Sequence, residues 1–475
     1  MRKKRFIRNV FIMSSSMLVV RIMGMVSNIY ISAAAGSSSM GIYHMVFAVF
    51  TFGITFAASG TGFAVTRLVS EDVFSEKQIL KKCLSISLIM SFAGFSFFFF
   101  APEKLWEKFI DADNISKAFK ILAFALPCMG TSTVLRGYFI ARRHAVTLTV
   151  SSIFEEALCI TSTLFLIKNS TIPSYLCLVW GCTVSNFGAF VVDTILCAVW
   201  FGKSISKTKP VPYKDIFSIC VPIALGSYLK TGLVAIENLM IPMQFQKYGV
   251  PNPVGEYGII KAMAMPIIMF PMVFIQAFSS MLVPEMSEMN VKNAKNGIRH
   301  IAGISLSTTT MFAFFISLML FKHHSLIATS FFKESGVGFY LCMLSFLAVP
   351  MYMDSVADSI LKGLNLQNAS LKYNIIDSLL RICSIFFLMP KFGPVFYICM
   401  LYISEVFNLT LSLGKAAKVT GLKVDFYGLV MKPFLCALGA YFFNPPLLCL
   451  GVYMLLYAIK IPLRFTERVA TKSGC

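Results

Sequence analysis

The chain has 475 residues, of which 57% are hydrophobic and only 13% are charged. Soluble globular domains carry about 25% charged residues because their surfaces face water, so this composition excludes an ordinary soluble protein. The formal net charge is +20, but the basic residues lie mainly in short loops between apolar segments, a placement that favours contact with lipid headgroups and excludes nucleic acid as a partner. We therefore expect an all-α integral membrane protein.

Apolar runs long enough to cross a bilayer recur along the whole chain. A spanning helix needs about 20 mostly apolar residues. The predicted runs lie near 10–35, 41–69, 80–101, 118–141, 146–167, 175–202, 215–245, 256–284, 299–321, 337–364, 369–389, 393–416, 426–443 and 446–461. They predict about fourteen transmembrane helices. The last two runs are short, so twelve spans is the alternative if this pair does not cross.

The ends of the chain are predicted to lie in the cytoplasm. The first run is not typical of a cleaved signal peptide, because Arg21 interrupts it and it is longer than the apolar part of such a peptide. Lys and Arg concentrate in the loops that become cytoplasmic if the N-terminus is inside, and this asymmetry holds to the end of the chain. An even number of spans follows.

Two stretches of the chain look like copies of one another. Gly41, Tyr43 and Glu71 recur 214 positions later as Gly255, Tyr257 and Glu285, and the triplet at 135–137 recurs in similar form 226 positions later. Six helices per copy give both copies the same orientation, so the bundles should be related by a pseudo-two-fold axis along the membrane normal, with a cavity between them. We expect an N-terminal bundle at 1–205, a C-terminal bundle at 206–420, and two extra helices with a cytoplasmic tail at 421–475.

Basic residues at membrane depth are candidates for binding substrate. An ionisable group there costs at least ~2.5–3.5 kcal/mol and normally faces protein or water. Arg21 and Lys230 lie in the first helix of each copy and have no acid three or four residues away. We expect them to line a shared cavity and bind an anion such as a diphosphate, with Lys261 extending the basic lining. Arg381 is a fourth candidate.

Acidic residues in the predicted helices are expected to balance these charges or to bind a coupling ion. The candidates are Glu155, Glu237, Asp354, Asp358 and Asp377. Asp377 and Arg381 are four residues apart, so they can pair on one helix face. In the alternative reading, Glu155, Glu237 or Asp354 pairs with Arg21 and Lys230. Arg136 and Lys362 lie at helix ends, where we expect their side chains to extend to the membrane surface.

The sequence contains no motif typical of a catalytic, nucleotide-binding or metal-binding site. The sequence has no Gly-rich phosphate loop, no metal-ligand cluster and no soluble domain large enough for a nucleotide. We therefore expect no enzymatic activity, no cofactor and no metal site. The energy for any transport would come from an ion gradient, the membrane potential or the gradient of the substrate.

Several segments together resemble a known family. VRIMGMVSNIYISAAAG (20–36), LRGYFIARR (135–143), VPIALGSYLKTGLVAIENLMIP (221–242) and YGIIKAMAMPIIMFPMVFIQAFSSMLVPEMSE (257–288) are similar to the stage V sporulation protein B family. This is a family of polysaccharide transporters in the multidrug/oligosaccharidyl-lipid/polysaccharide exporter superfamily, related to the lipid II flippases. The resemblance implies a V-shaped pair of six-helix bundles in a bacterial inner membrane, acting as a monomer on an undecaprenyl-pyrophosphate-linked saccharide.

Individual positions match this resemblance to different degrees. Arg21 matches an Arg in helix 1 of the related lipid II flippases, whereas Ser27 replaces a second Arg of that helix. Glu237 stands where the family usually has Asp, and Cys159 stands where a basic residue is expected. The resemblance therefore supports the fold more directly than the cargo.

Three functions are consistent with these observations. The first is a flippase for a lipid-linked saccharide used in peptidoglycan or polysaccharide synthesis, including synthesis during sporulation, with membrane lipids and Na+ or H+ as further partners. The second is a multidrug or cation antiporter of the same fold, which would use Glu237 or the Asp354–Asp358 face as its ion site. The third is an envelope-assembly scaffold without transport. A positively charged cavity favours the first and a negatively charged one the second.

Overall fold

The structure is a computed structural model that describes residues 2–107, 110, 114–142, 144–201, 209–332, 334–422, 425–443 and 445–458. Helices are the only regular elements in these residues. The predicted all-α fold is therefore confirmed. The predicted tail after residue 458 and the predicted boundary at 205 lie outside the described residues.

The N-terminal half forms eight described α-helices. They are α1 (Arg2–Ala58), α2 (Thr61–Glu71), α3 (Glu76–Phe100), α4 (Glu103–Glu107), α5 (Ile115–Ala123), α6 (Ala125–Ala141), α7 (Ala145–Asn169) and α8 (Ser174–Phe201). Among them α1 contains a sharp break. Gly36 has φ 79° and ψ 163°, which no helical residue adopts and which glycine tolerates best. The break lies between the first two predicted spans.

The C-terminal half is also helical and includes two π-helical segments. Its elements are α9 (Tyr213–Tyr248), α10 (Pro253–Gly258), a π-helix (Ile259–Ala264), α11 (Met265–Met269), α12 (Met272–Val291), α13 (Lys295–Phe331), α14 (Ser335–Leu344), a 3₁₀ turn (Ser345–Leu347), α15 (Ala348–Gly363), α16 (Gln367–Phe387) and α17 (Met389–Thr420). After these come a second π-helix (Tyr427–Met431), α18 (Lys432–Ala440) and α19 (Pro446–Ala458).

The described residues contain nine helices that are long and apolar enough to cross a membrane, or ten if α10 to α12 form one bent span. All fourteen predicted runs are nevertheless largely helical where they are described. The numbers differ for three reasons. Leu18–Glu71 joins two predicted spans into one segment, α16 carries Lys372, Asp377 and Arg381, and the last two helices are short. About fourteen crossings therefore remain consistent with the structure.

The outside of the molecule is strongly apolar, as a lipid-facing surface must be. Phe100 is 74% exposed and Phe442 is 80% exposed, and many Leu, Ile and Val side chains are exposed as well. A soluble protein rarely exposes so large an apolar surface, whereas acyl chains cover it without cost. The chain is a multi-pass integral membrane protein.

The two halves meet through α1 and the region around α10. The Ser38 hydroxyl accepts a hydrogen bond from Asn252 Nδ2 at 2.9 Å. A Cβ on Gly41 would clash with the carbonyl oxygen of Val254, and a Cβ on Gly258 would clash with that of Ser37. These glycines bring the two backbones into direct contact. We call this contact the glycine seam; it lies on the predicted external side.

The two halves also touch nearer the predicted cytoplasmic side, where the turn after α1 contacts α9. The hydroxyls of Ser59 and Tyr228 are 2.7 Å apart and share a hydrogen bond. Gly60, with φ 71°, lies against the backbone of Cys220, where a Cβ would be 2.9 Å from the carbonyl oxygen. The halves are therefore in contact on both sides of the predicted bilayer midplane.

The last two helices pack on α13. The Tyr453 hydroxyl donates to the carbonyl of Met311 at 2.8 Å, and Tyr453 lies in a small core with Phe314, Leu318 and Cys436. This docking is consistent with the predicted pair of additional helices. The predicted domain boundaries themselves stay predictions.

Candidate functional site

A network of three charged residues lies inside the N-terminal half. Arg136 on α6 contacts Glu155 on α7 at 2.7 Å and Asp193 on α8 at 2.9 Å. Its guanidinium also donates to the Ser151 hydroxyl at 3.1 Å. The Asp193 side chain has no exposed surface. The prediction that Arg136 extends to the membrane surface is therefore wrong, because two carboxylates on neighbouring helices hold it inside the bundle.

Arg21 lies in the same half but is not part of this network. Its side chain is exposed, and in the described part of the chain no acid lies within 4 Å of it. Gly24, one turn along α1 from Arg21, faces Glu156 of α7, because a Cβ on Gly24 would be 3.2 Å from Glu156 Oε1. Glu155, the acid proposed as an alternative partner for Arg21, is instead bound to Arg136.

The C-terminal half holds a second arginine between carboxylates. Arg381 Nη2 is 3.3 Å from Glu237 Oε2 on α9, and Arg381 Nε is 3.4 Å from Asp377 Oδ2. The Ser404 hydroxyl donates to Asp377 at 2.6 Å. The predicted pair of Asp377 and Arg381 is present, and Glu237 joins it from another helix. Arg381, predicted to bind substrate, already has two anionic partners.

Asp354 and Asp358 form a separate acidic pair on α15. Asp354 accepts from Asn408 at 3.2 Å, and Asp358 accepts from Ser370 at 2.7 Å and Ser412 at 3.4 Å. Among the residues that the structure describes, neither has a basic side chain within 4 Å. Asp354 is buried, and its Oδ1 has no hydrogen-bond partner there. The pair is surrounded by hydroxyl and amide groups.

Lys230 and Lys261 remain without ion pairs, as far as the described residues extend. Lys230 is exposed on α9, on the helix that also carries Glu237. Lys261 is half-buried in the π-helix Ile259–Ala264, and its Nζ lies 5.7 Å from the centre of the Tyr397 ring. A π-helical turn widens the helix locally and often marks a functional position.

The structure therefore divides the candidates into paired and unpaired groups. Glu155, Glu237, Asp377 and Arg381 take part in ion pairs, whereas the basic residues Arg21, Lys230 and Lys261 have none with any residue that the structure describes. Sequence reasoning missed Arg136 as the centre of a network. It also missed the polar residues Ser404 and Asn408, which contact the acids. The only sequence feature that could have indicated these two residues is that they are polar positions within an apolar run.

Comparison with known proteins decides the family. Residues 6–290 match the model of the family described as "Polysaccharide biosynthesis protein". The chain belongs to the polysaccharide biosynthesis protein family. By sequence, the chain is also similar to the stage V sporulation protein B of Bacillus subtilis (strain 168). The two are 23% identical over 413 residues, which cover 82% of this chain and 79% of that protein.

Solved structures share the fold of this polysaccharide biosynthesis protein. The lipid II flippase MurJ in an inward closed conformation matches with a TM-score of 0.73 and 13% identity, covering 94% of this chain and 97% of the other. A multidrug resistance MATE family transporter of the MOP superfamily, in an inward-facing conformation, matches with a TM-score of 0.66 and 13% identity, covering 86% and 100%. At such identities the likeness establishes the fold alone.

Proposed function

We propose that the chain is a flippase that moves an undecaprenyl-pyrophosphate-linked saccharide across a bacterial inner membrane by alternating access. The observation that carries the proposal is the set of three basic side chains, Arg21, Lys230 and Lys261, that lack ion pairs within the described residues although their helices belong to the membrane. The family match and the relationship to stage V sporulation protein B support the same function.

The unpaired basic residues suit a diphosphate. Each unpaired cation in a membrane helix costs about 2.5–3.5 kcal/mol, and a bound anion offsets this cost. A guanidinium such as that of Arg21 donates two parallel hydrogen bonds to phosphate oxygens, and a lysine adds a point charge. The cargo bears two linked phosphates, so it can engage Arg21 and a lysine from the other half simultaneously. Arg381 then orients Glu237 and Asp377 beside this site.

The acidic pair on α15 suits a coupling cation. Arg136 balances Glu155, and Arg381 balances Glu237 or Asp377, so those carboxylates are at least partly neutralised. Asp354 and Asp358 have no such partner among the described residues, and oxygen ligands from Ser370, Ser412 and the amides suit Na+, while a carboxylate suits H+. Binding of the ion would favour one of the two arrangements of the halves.

Transport in liposomes tests the proposal directly. The full chain is reconstituted with a labelled undecaprenyl-pyrophosphate sugar, and the fraction moved between leaflets is measured for the wild type, Arg21→Ala and Lys230→Ala. Loss of a charge-assisted hydrogen bond is worth about 1.5–3 kcal/mol, so we expect each variant to transport at least about tenfold more slowly.

The matched control is Lys168→Ala, an exposed lysine in the last turn of α7 that lies outside the proposed site. Its transport should equal that of the wild type. If both Arg21→Ala and Lys230→Ala also transport normally, the basic residues do not bind the cargo and the proposal fails.

One observation favours the antiporter as a second candidate. The pair of buried Asp354 and half-buried Asp358, without a basic partner in the described residues, is the kind of site that a cation-exchanging protein requires. The same liposomes separate the two functions. Efflux of a cationic dye, with no movement of the lipid-linked sugar, would identify an antiporter. If neither the dye nor the sugar moves, the envelope-assembly scaffold is the remaining function.

A further inference from the structure

A pocket with polar and apolar lining lies apart from the charged clusters described above, between α13 and the two C-terminal helices. It encloses about 320 Å³. Its lining residues are Gly303, Leu306, Ser307, Leu422, Asp425, Gly428, Leu429, Lys432 and Tyr457. None of these residues is needed for the proposed transport of the saccharide. The pocket combines one basic and one acidic side chain with leucines, which is unusual for a purely structural gap between helices.

The basic side chain in this pocket is held in place without being neutralised. Lys432 Nζ lies 4.7 Å from the centre of the Tyr457 ring, a cation–π contact that orients the ammonium group. The Tyr457 hydroxyl shares a hydrogen bond with the Ser307 hydroxyl at 2.9 Å. In the part of the chain that the structure describes, no acid lies within ion-pair distance of Lys432. The ammonium and the one hydroxyl proton that this shared bond leaves free therefore offer donors to an anion.

The acidic side chain lies at the start of the neighbouring π-helix. Asp425 Oδ1 accepts from the backbone N–H of Tyr427 at 3.1 Å, and its side chain is exposed. Gly428 faces the other carboxylate oxygen, because a Cβ there would be 2.6 Å from Asp425 Oδ2. The glycine thus leaves space beside the carboxylate. Asp425 can receive a cationic group from the membrane side.

The pocket lies in the half of the bilayer nearer the predicted cytoplasmic side. α13 begins at Lys295, the helical segment containing the second π-helix begins just after Asp425, and α19 ends at Ala458, and these three ends lie on one side of the molecule. Gly303 and Ser307 are about 12–18 Å along α13 from its first residue. Leu306, Leu422 and Leu429 supply an apolar wall there.

We propose that this pocket binds a phospholipid whose headgroup contains a phosphate and a primary ammonium, as in phosphatidylethanolamine. The phosphate lies at Lys432 and the paired hydroxyls of Ser307 and Tyr457, and the lipid ammonium lies at Asp425. The acyl chains leave along the leucine wall into the bilayer. Charge complementarity selects this occupant, because the pocket presents one positive and one negative group, as the headgroup does with opposite signs.

Native mass spectrometry of the purified full chain in detergent tests this site with two probes, phosphatidylethanolamine and phosphatidylglycerol. Lys432→Gln should weaken binding of both lipids about tenfold, since both have the phosphate. Asp425→Asn should weaken binding of phosphatidylethanolamine and leave phosphatidylglycerol unchanged, because the latter lacks the ammonium. Gly303→Leu, which fills the pocket without changing a charge, should reduce binding of both.

The matched control is Lys418→Gln, an exposed lysine in the last turn of α17 outside the pocket. Equal losses from Lys418→Gln and Lys432→Gln would mean that only surface charge attracts the lipid, and would overturn the proposal. Lipid binding that survives Gly303→Leu, or an Asp425→Asn variant that treats both lipids alike, would overturn it as well. Unchanged melting temperatures establish that each variant is folded.

Discussion

Arg136 and Arg381 play similar parts in the two halves, although their positions in the chain do not correspond. Counting 226 positions from Glu155, the spacing that relates the fourth and tenth predicted spans, leads to Arg381. Glu155 forms an ion pair with Arg136 of α6, whereas Arg381 forms an ion pair with Glu237 of α9. The charge at the corresponding position is thus reversed, and in each half a neighbouring helix supplies the opposite sign. Both halves bury an arginine–carboxylate network with different residues.

Removing Arg136 should destabilise the N-terminal half. Arg136→Ala leaves Glu155 and the fully buried Asp193 without their cation. Breaking a buried ion pair from one side costs about 3–5 kcal/mol, and the partial exposure of Arg136 favours the lower end, so we expect a loss of about 3 kcal/mol. The free energy of unfolding in detergent measures it.

Two further variants control this experiment. Arg67→Ala removes an exposed ion pair with Glu71 and should change the free energy of unfolding by less than about 0.5 kcal/mol. Adding Glu155→Gln and Asp193→Asn to Arg136→Ala should restore much of the lost stability, because no unpaired charge then remains. A single Arg136→Ala variant as stable as the wild type would contradict the importance of the network.

Local pairs in the site were predictable, whereas pairs between helices were not. Asp377 and Arg381 lie four positions apart on one helix, so their spacing alone indicated the pair. Which acid reaches Arg136 depends on how α6, α7 and α8 are rotated against one another. Apolar helices without a marked polar stripe do not reveal this rotation, and the partners therefore became visible only in the structure.

At the scale of elements, the glycine seam is the contact that must change when the halves move. Gly41 and Gly258 allow backbone to meet backbone, so a larger side chain at either position cannot fit while the seam is closed. The other contact, at Gly60 and Cys220, has the same character. A transporter that alternates between two arrangements would open one of these contacts at a time.

A larger side chain in the glycine seam should therefore open the seam and give solvent access to its residues. Gly258→Leu places a side chain against the Ser37 carbonyl, which the closed arrangement cannot accommodate. We expect Ser38→Cys to react several-fold faster with a membrane-impermeant thiol reagent in the Gly258→Leu background. The rate of labelling at position 38 is obtained by subtracting the rate measured for the same background with only the native cysteines.

Gly226→Leu is the matched control, since a Cβ at this helical glycine meets nothing within 4 Å. It should leave the reaction rate unchanged. Equal rates in the Gly258→Leu and Gly226→Leu backgrounds would show that the seam tolerates the larger side chain and does not act as a gate.

At the scale of the whole molecule, coupling to an ion makes a separate prediction. Asp354→Asn and Asp358→Asn remove the acidic pair that lacks a basic partner in the described residues. Transport by the wild type should respond to an imposed Na+ or H+ gradient, and transport by these variants should not. The measurement is lipid flipping in liposomes with each gradient applied in turn.

Glu107→Gln, an exposed acid on α4, is the control and should keep the wild-type response. A full response in both aspartate variants would place the coupling ion elsewhere. Complete indifference of the wild type to both gradients would mean that the membrane potential or the gradient of the substrate drives transport.

The helices of the whole molecule were largely predictable because lipid imposes a length and an apolar composition on them. Each predicted run is largely helical where it is described, and the break at Gly36 falls between two of them. Sequence did not predict that Leu18–Glu71 would form one nearly continuous helical segment. It also did not indicate the π-helices, since these arise from packing and carry no distinct composition.

The hydrogen bond between Ser38 and Asn252 joins residues 214 positions apart, the same spacing that separates Gly41 from Gly255. Two equivalent points that touch must lie on either side of the predicted pseudo-two-fold axis. Twisting one bundle about this axis leaves the length of the bond nearly constant, whereas tilting the bundles apart stretches it at once. The distance between spectroscopic labels at these two positions would therefore change when the bundles tilt and stay nearly constant when they rotate.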